Sequence, residues 1–481
     1  MIGWVFTRAA ESRISLYNTA TKKAEHFEPL TRGVAKMYSC GPTVYNFAHI
    51  GNLRGAVFPD VVRRTLAYAG YTVTEVMNIT DFGHLVGDGD EGEDKMTVGL
   101  AREGLLPTME NMLLMATKYA DAYKEDTRAL NVLPPSFMPR ASEHVPGMIA
   151  YVETLLHKGF AYKTTDGIYF DTRKFPSYGM LGGVSSIEHS RIGVSSEKHN
   201  PRDFALWKFN AVNGWDAPWG KGFPGWHIEC TAMSTHYLGK SFDIHTGGIE
   251  HVAIHHNNEI AQAEAANGRP YARYWLHSEH ITIEGKKISK SLGNDVTLKD
   301  LRDRGIHPLA YRYWLLTGHY RQQMNFTWEA VEGAQHALLR LWKAFAGLSG
   351  TGVVHPEYQK RFASYIFDDL DTPKALALLW DMSKDTTVSP GVLRATLLDF
   401  DRVLGLGFAD HAHVALRTPV SADMVPDEVR ALLRDREAAR TAKDYARSDA
   451  LRAEIAARGY VIEDTAAGPV LTRAEHGTMP V

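Results

Sequence analysis

The chain has 481 residues, a length that predicts about three or four domains and excludes a small single module. Hydrophobic residues make up 44% and charged residues 23%, which is typical of globular proteins and excludes a largely disordered chain. With 53 basic and 56 acidic side chains the formal net charge is −3, so no overall positive charge indicates a nucleic-acid partner.

The amino terminus and the cysteine content predict a cytoplasmic protein without a membrane span. The first residues lack the apolar core of a secretory leader, and no later stretch approaches the roughly 18 apolar residues of a membrane-spanning helix. Cys40 and Cys230 are the only cysteines, which excludes a disulfide scaffold. We therefore expect them to be inert buried thiols, catalytic thiolates or metal ligands.

Residues 34–80 have the pattern of a βαβ unit. An apolar run is followed by a turn at Gly41 and Pro42, a helical pattern and a second apolar run that ends at Thr80. This order predicts an α/β fold with a doubly wound, Rossmann-like parallel sheet. Because ligands of such sheets bind at the carboxyl ends of the strands, we expect a site near residues 40–52 and 78–81.

A candidate phosphate-binding segment follows the first of these strands. His49, Gly51 and Asn52 stand where the helix should begin, and the backbone N–H groups and dipole of a helix start favour phosphate. An imidazole there could also donate to charge developing on a phosphoryl oxygen. Taken alone, however, these residues are better explained by an ordinary loop that leads into a helix with an early glycine.

The next segments predict an insertion and then a helical region. Residues 136–225 are rich in turn residues and short strand patterns, which indicates a subdomain inserted into the sheet domain. The segment FDIHTGG at 242–248 and the helical pattern behind it resume the βα order. Beyond Phe326 the pattern is almost entirely helical, and Asp371 or Thr372 should cap a helix that has Pro373 in its first turn.

A possible metal site combines both cysteines with a helical pair. His255 and Glu259 are four residues apart, so their side chains share one face of a helix. With Cys40 and Cys230 they would complete a tetrahedral Zn²⁺ site. His256 and Glu259, three residues apart, are a competing pair, and buried thiols beside a polar helix face are the alternative without a metal.

A second candidate phosphate site is the segment GKKISKSLGN at 285–294. Two lysines three residues apart, with serines between them and glycines on either side, suit a mobile loop over a triphosphate. Lys287 and Lys290 would neutralise the migrating negative charge. A solvated basic loop is the alternative interpretation.

The sequence resembles the cysteinyl-tRNA synthetases, a family of class I aminoacyl-tRNA synthetases, along nearly its whole length. The resemblance lies in ordered segments, which are MYSCGPTVYNFAHIGN, NITD, NPRDFALWK, GWHIECTAM, DIHTGG, HHNNEIAQ, KKISKSLGN, HYRQQMNF, DDLDTPKAL and the KDYARSDALR tail. It implies that the zinc ligands are Cys40, Cys230, His255 and Glu259, so both cysteines of the chain fall on thiolate positions.

The resemblance also implies the roles of the other site residues. Catalysis is assigned to two family signatures, HIGH and KMSKS, represented here by His49, Asn52, Lys287 and Lys290. ATP binding is assigned to His49, Gly51, Asn52, Asp243, Gly247, Gly248, Lys287, Ser289, Lys290 and Ser291. Contacts with the amino acid are assigned to Gly41, Thr80, Trp226, His245 and Glu250.

The implied activity is a cysteine–tRNA ligase that uses ATP, L-cysteine and tRNA(Cys) and proceeds through an enzyme-bound cysteinyl-adenylate. Mg²⁺ would accompany ATP, and one Zn²⁺ per chain would select the cysteine thiolate. We expect a monomer. The implied domains are a catalytic domain in two halves (1–135 and 226–275), an inserted connective subdomain (136–225), a KMSKS-loop and stem-contact region (276–335), a helical bundle (336–417) and an anticodon-binding domain (418–481).

The last domain is expected to read bases individually, because residues 421–481 contain 9 basic and 11 acidic side chains, a net charge of −2. The cations expected to bind tRNA are Arg434, Arg436, Arg440, Lys443 and Arg447.

Several positions depart from the commonest family pattern. Asn52 replaces a histidine, Ile288 a methionine and Glu250 an aspartate, and Gln322-Gln323-Met324 replaces Ser-Pro-Leu. Two other functions stay open: a related ligase that transfers cysteine to an amino sugar, and a catalytically silent tRNA-binding or zinc-binding paralogue. The long helical tail favours tRNA over an amino sugar, and the retained signatures and ligands argue against a silent paralogue.

Overall fold

The structure is a computed structural model that describes residues 14–83, 95–183, 197–289, 293–411, 425–465 and 468–473. The strands are β1 (Ser15–Asn18), β2 (Lys23–His26), β3 (Val34–Ser39), β4 (Thr72–Met77), β5 (Ala161–Lys163), β6 (Gly167–Phe170), β7 (Phe204–Phe209), β8 (Gly222–Pro224), β9 (Phe242–Gly248), β10 (Ala272–Ser278), β11 (Ile281–Ile283), β12 (Lys286–Lys287), β13 (Met324–Phe326), β14 (Tyr460–Thr465) and β15 (Gly468–Arg473).

The helices, again in chain order, are α1 (Ile50–Tyr68), α2 (Lys95–Arg102), α3 (Met109–Ala129), α4 (Val145–His157), α5 (Trp226–Leu238), α6 (His255–Asn267), α7 (Leu298–Asp303), α8 (Pro308–Leu316), α9 (Trp328–Ala346), α10 (Pro356–Ile366), α11 (Thr372–Ser383), α12 (Pro390–Leu404), α13 (Phe408–His411), α14 (Asp427–Thr441) and α15 (Tyr445–Ala457). In the described part of the chain, no helix has both the length and the hydropathy needed to cross a membrane.

A four-stranded parallel sheet organises the first part of the chain, as the sequence predicts. Its order is β10-β9-β3-β4, and each neighbouring pair is parallel. The helix α1 connects β3 to β4, which gives the predicted βαβ unit. Most side chains of β3 and β9 are buried, as expected for strands covered on both faces. The carboxyl ends of β3, β4 and β9 therefore lie side by side at one edge.

Two further sheets, one of four strands and one of three, lie in the same part of the chain. The antiparallel sheet β5-β6-β7-β8 spans residues 161–224 and contains the short strands that the sequence predicts between 136 and 225. The sheet β12-β11-β13 joins β11 antiparallel to β12 and parallel to β13. Lys287 ends β12, so the KMSKS-type segment begins on a short hairpin.

The chain divides into two compact units, Met1–Leu338 with Thr351–Leu406, and Leu339–Gly350 with Gly407–Val481. The sequence instead groups residues 336–417 as one bundle. The difference has a physical cause in the first unit, where the buried Arg312 donates to Asp60 on α1 (2.6 Å) and to the Leu404 carbonyl at the end of α12 (2.7 Å). These bonds hold the end of α12 against α8 and α1.

The helix α11 begins as the sequence predicts. Asp371 accepts a hydrogen bond from the backbone N–H of Lys374 at 3.1 Å, and Pro373 lies in the first turn. Asp371, and not Thr372, is therefore the cap. Pro373 is tolerated in the first turn because the N–H groups there have no partner within the helix, and proline lacks an N–H.

The second unit has its own small core. The helices α14 and α15 pack with the hairpin β14-β15 around buried apolar side chains, which are Val425, Val429, Ile455, Tyr460, Ile462 and Leu471. This arrangement agrees with the two charged helices and the terminal strand expected from the sequence.

Candidate active site

The four predicted metal ligands come together at the carboxyl edge of the parallel sheet. Cys40 follows β3, Cys230 lies in α5, and His255 and Glu259 lie one turn apart at the start of α6. One ligand atom from each lies within 4.8 Å of the other three. All four side chains are buried or nearly so, which is typical of a structural or substrate-binding metal centre.

The donor set fits a cation. The imidazole Nε2 of His255 and Oε1 of Glu259 lie 2.9 Å apart, yet neither finds a partner with hydrogen-bond geometry among the described residues. A hydrogen bond from the Cys40 thiol lowers the pKa of Cys230 to about 6 despite its burial, while burial raises the pKa of Cys40. A buried thiolate and a carboxylate with an unpartnered oxygen are ligands that Zn²⁺ prefers.

A second ligand set overlaps the first. Cys40, His245, His256 and Glu259 also bring one ligand atom each within 4.8 Å of one another. His256 Nε2 lies 3.4 Å from the Cys40 sulfur, and His245 Nε2 lies 2.9 Å from Glu259 Oε2. The competing use of His256 therefore stays geometrically open. The set with two thiolates is the better match to a borderline-soft ion.

Two of the predicted amino-acid-binding residues belong to one hydrogen-bond chain. The Gly41 N–H donates to Asn78 Oδ1 (2.9 Å), the Asn78 amide donates to the Thr80 hydroxyl (3.3 Å), and that hydroxyl donates to Glu229 Oε2 (2.7 Å). A Cβ on residue 41 would stand 1.7 Å from the Asn78 carbonyl oxygen, so only glycine fits. The chain links the strand end at Cys40 to the helix that carries Cys230.

Asn78 lies in the range 78–81 in which the sequence predicts the site, but the sequence analysis assigned no role to Asn78 or to Glu229. Both stand inside segments that carry the family resemblance, NITD and GWHIEC, which was the available signal. Burial raises the pKa of Glu229 well above the ordinary value, and its Oε1 lacks a hydrogen-bond partner among the described residues. The side chain of Thr80 is itself buried, with its hydroxyl bonded to Glu229.

Trp226, His245 and Glu250 surround the cluster. The Trp226 ring lies over the His255 ring, with 4.1 Å between centroids, and His245 is fully buried beside Glu259. Glu250 follows β9 in a short 3₁₀ turn, and its carboxylate is 3.6 Å from the ring of His280. About half of the Glu250 side chain is exposed, so its charge faces the opening of this edge.

The HIGH-type segment forms the predicted helix start. The Asn52 N–H donates to His49 Nδ1, the His49 N–H donates to Asn52 Oδ1, and both distances are 3.2 Å. This reciprocal cap fixes both side chains at the amino end of α1, where the helix dipole favours an anion. Asn52 makes this cap with its side-chain amide.

The KMSKS-type segment lies against that helix start. The Ile50 N–H donates to the Val296 carbonyl (2.8 Å), and a Cβ on Gly51 would stand only 2.9 Å from Ile288 Cδ1. Asn294, the last residue of the predicted segment 285–294, joins the two sides of the segment, a role that the sequence analysis did not assign. It accepts from the Ser289 N–H (2.8 Å) and donates to the Lys287 carbonyl (3.0 Å). Lys290 and Ser291 lie outside the described residues.

Asp243 requires a correction, because it does not lie at the carboxyl edge of the sheet, where ATP is expected. It is the second residue of β9, near the amino end of the strand. Its buried carboxylate accepts from the backbone N–H groups of Leu30 (2.6 Å) and Lys36 (2.8 Å). Both oxygens therefore tie the amino ends of β3 and β9 together. Gly247 and Gly248 end the same strand and do lie at the carboxyl edge.

Arg436 requires a second correction. Its guanidinium is buried and donates to both oxygens of Asp464, at 2.9 and 2.8 Å, so it holds α14 to β14. Arg440 also contacts Asp464, at 2.5 Å, but stays partly exposed. The remaining expected cations, Arg434, Lys443 and Arg447, are exposed. The aromatic ring of Tyr445, which lies between them in the sequence, is also exposed.

Two family models match the sequence. The first, "tRNA synthetases class I (C) catalytic domain", matches residues 26–336. The second, "Cysteinyl-tRNA ligase anticodon binding domain", matches residues 422–468. A cysteine–tRNA ligase 1 from Burkholderia lata is 45% identical over 463 residues, which cover 95% of this chain and 96% of the relative. The chain belongs to the cysteine–tRNA ligase family.

Further similarities agree with this family. A cysteine–tRNA ligase from Thermus thermophilus is 43% identical over 477 residues, covering 94% of this chain and 98% of the relative. Among solved structures, a methionyl-tRNA synthetase from Mycobacterium tuberculosis covers 80% of this chain and 93% of its own, with a TM-score of 0.54 and 14% identity. That likeness supports the class I fold alone.

Proposed function

We propose that the protein is a cysteine–tRNA ligase. It joins L-cysteine to ATP as cysteinyl-adenylate, which releases pyrophosphate, and then transfers cysteine to the 3′ end of tRNA(Cys), which releases AMP. One observation carries the proposal: a cluster of two cysteines, a histidine and a glutamate lies at the same sheet edge as a capped helix start of the HIGH type. The cluster could hold a metal ion that binds the substrate thiol, and the helix start could bind a phosphate of ATP.

The activation step needs positioning and charge neutralisation, not a protein nucleophile. A cysteine carboxylate oxygen attacks the α-phosphorus of ATP, and the bond to pyrophosphate breaks. His49 and Asn52 at the start of α1 and Lys287 on the facing hairpin stabilise the negative charge. Lys290 joins them on sequence grounds. Mg²⁺ would accompany ATP, and backbone or hydroxyl groups would line the nucleotide at Gly51, Gly247, Gly248, Ser289 and Ser291.

The amino-acid site would hold one Zn²⁺ through Cys40, Cys230, His255 and Glu259. When bound, the ion would supply a soft centre that prefers a cysteine thiolate to the hydroxyl of serine. The surrounding side chains orient the substrate: Trp226 covers one face of the cluster, and the exposed Glu250 carboxylate attracts the substrate ammonium group.

The second unit favours tRNA over an amino sugar as the acceptor. Its two helices and hairpin coincide with the match to an anticodon-binding domain at residues 422–468. An amino-sugar acceptor has no anticodon for such a unit to bind. We propose that the enzyme works in the cytoplasm as a monomer, which stays a prediction from the family resemblance.

The test is cysteine-dependent exchange of pyrophosphate into ATP, followed by charging of purified tRNA(Cys). Both reactions are expected with the zinc-loaded protein. Exchange without charging would instead select the amino-sugar ligase, and the absence of both reactions would select the silent paralogue. Exchange with serine within about tenfold of cysteine would contradict selection by the metal, since preference for a thiolate over a hydroxyl should be larger.

A further inference from the structure

Arg54 is a buried cation on the helix that carries the HIGH-type signature. It stands two residues after Asn52 in α1 and is only 5% exposed. Its guanidinium donates to three main-chain carbonyls, those of His280 (3.0 Å), Tyr320 (2.9 Å) and Gln322 (2.8 Å). Burial lowers the pKa of this guanidinium, and the three carbonyl acceptors offset the cost of burying its charge.

The three carbonyls belong to the base of the sheet that carries Lys287. His280 immediately precedes β11, and its carbonyl also accepts from the Met324 N–H that begins β13. The next strand, β12, pairs with β11 through Thr282 and Lys287. Arg54 therefore binds the residues that precede β11 and β13, and β12, which carries Lys287, pairs with β11. A planar guanidinium can fix several carbonyls at once, which a single ammonium does less well.

Other contacts fix the far side of the same loop to the same helix. The Ile50 N–H donates to the Val296 carbonyl, and Ile288 Cδ1 lies 2.9 Å from the place that a Cβ on Gly51 would occupy. The chain is therefore bonded to α1 on both sides of the KMSKS-type segment. Arg54 binds the residues that precede β11 and β13, and Ile50 binds Val296, which follows the segment. These contacts from α1 therefore help to fix the distance between His49 and Lys287.

We propose that Arg54 is a positioning residue for adenylate formation. It sets where the hairpin bearing Lys287 stands relative to His49 and Asn52, and the inference rests on the proposed function. Because the bonds go to main-chain carbonyls, the unusual side chains of Gln322, Gln323 and Met324 leave this link intact. A displacement of about 1 Å at the reacting groups can cost roughly 100-fold in rate.

The test compares Arg54→Met and Arg54→Lys with a matched control, Arg64→Met. Arg64 lies on the same helix, is 7% exposed, and donates to Asp60 and to the carbonyls of Asn131 and Arg402. In cysteine-dependent pyrophosphate exchange, Arg54→Met should lower kcat/KM for ATP by about 10–100-fold. Its KM for cysteine and its zinc content should stay at the wild-type value. Arg54→Lys should recover part of the loss, and Arg64→Met should keep the wild-type kcat/KM for ATP.

Two results would overturn the inference. One is a folded Arg54→Met variant with wild-type kcat/KM for ATP. The other is an equal loss for ATP and cysteine that Arg64→Met shares, which indicates general destabilisation. Should Arg54→Met fail to fold, Arg54→Lys decides by the same comparison. Absence of exchange by the wild-type protein would remove the proposed function itself and this inference with it.

Discussion

Two buried glutamates beside Cys230 differ in their charge. Burial raises the pKa of Glu229 well above its ordinary value, which favours the neutral form of this carboxyl group. Burial acts in the same direction on Glu259, but the imidazoles of His245 and His255 lower its pKa far below the usual range. Glu259 is therefore the ionised group and the one suited to a cation, which agrees with its place in the predicted ligand set.

The ligand assignment can be tested with two substitutions. Cys230→Ala removes one of two thiolates and should abolish stoichiometric zinc binding, measured by elemental analysis of the purified protein. His256→Ala, which removes a neighbouring imidazole outside the first ligand set, should retain the metal.

The opposite pattern, with zinc kept in Cys230→Ala and lost in His256→Ala, would favour the overlapping set of Cys40, His245, His256 and Glu259.

Single residues show where sequence reasoning succeeded and where it stopped. The sequence groups Cys40, Cys230, His255 and Glu259, and their ligand atoms lie within 4.8 Å of one another, while zinc binding by them stays a prediction. Arg436 was misjudged although a signal existed, because it stands seven residues after Val429 and so shares the buried face of α14. Asp243 was misjudged because its position near the start of the strand was not weighed against the strand direction.

At the scale of elements, the strand β4 contains a buried carboxyl group, that of Glu75, whose ionisation lowers the stability of the folded state. Burial raises the pKa of Glu75 on β4 to about 7 from 4.5, and this effect outweighs the opposing contacts with Arg63 and Ser39. The folded state therefore binds a proton more tightly than the unfolded state. Stability contributed by this proton is complete below about pH 4.5 and is lost as pH rises towards 7.

Glu75→Gln should remove that dependence. The substitution supplies a neutral side chain of the same shape, so relative to wild type it should stabilise the protein progressively from pH 5 to pH 8, by up to about 3 kcal/mol. Thermal or denaturant unfolding at several pH values measures this. Glu110→Gln, at an exposed site on α3, is the matched control. A Glu75→Gln effect that is constant across this range, or that grows towards low pH, would contradict the account.

The elements themselves were largely predictable from pattern. Alternation of apolar runs with a helical pattern gave β3, α1 and β4, and turn-rich composition indicated the short strands between residues 161 and 224. The links between elements were not predictable. Arg54 and Arg312 look like ordinary helical cations in the sequence. The carbonyl partners of Arg54 lie more than 200 residues away along the chain, and those of Arg312 lie 92 to 182 residues away.

At the scale of the whole molecule, two compact units divide the work. The first contains the sheet edge with its metal-ligand cluster and phosphate segments, and the second contains the match to an anticodon-binding domain. The grouping of α10, α11 and α12 with the first unit escaped sequence analysis because helical periodicity does not report which neighbour a helix packs against.

The division of work predicts the effect of removing the exposed cations of the second unit. Replacing Arg434, Lys443 and Arg447 by alanine should raise KM for tRNA(Cys) by about tenfold or more, because each phosphate or base contact adds to RNA affinity. Cysteine-dependent pyrophosphate exchange by the same variant should be unchanged and serves as its internal control. Equal charging efficiency of variant and wild type would exclude these side chains from tRNA binding.

The central claim is that this protein attaches cysteine to tRNA. The most direct measurement is the charging of purified tRNA(Cys) with labelled cysteine by the wild-type, zinc-loaded protein, with labelled serine as the matched substrate. The account predicts stoichiometric, ATP-dependent cysteinyl-tRNA(Cys) and no seryl product above background. Failure to charge tRNA(Cys) with cysteine under conditions in which a known cysteine–tRNA ligase charges it fully would contradict the account.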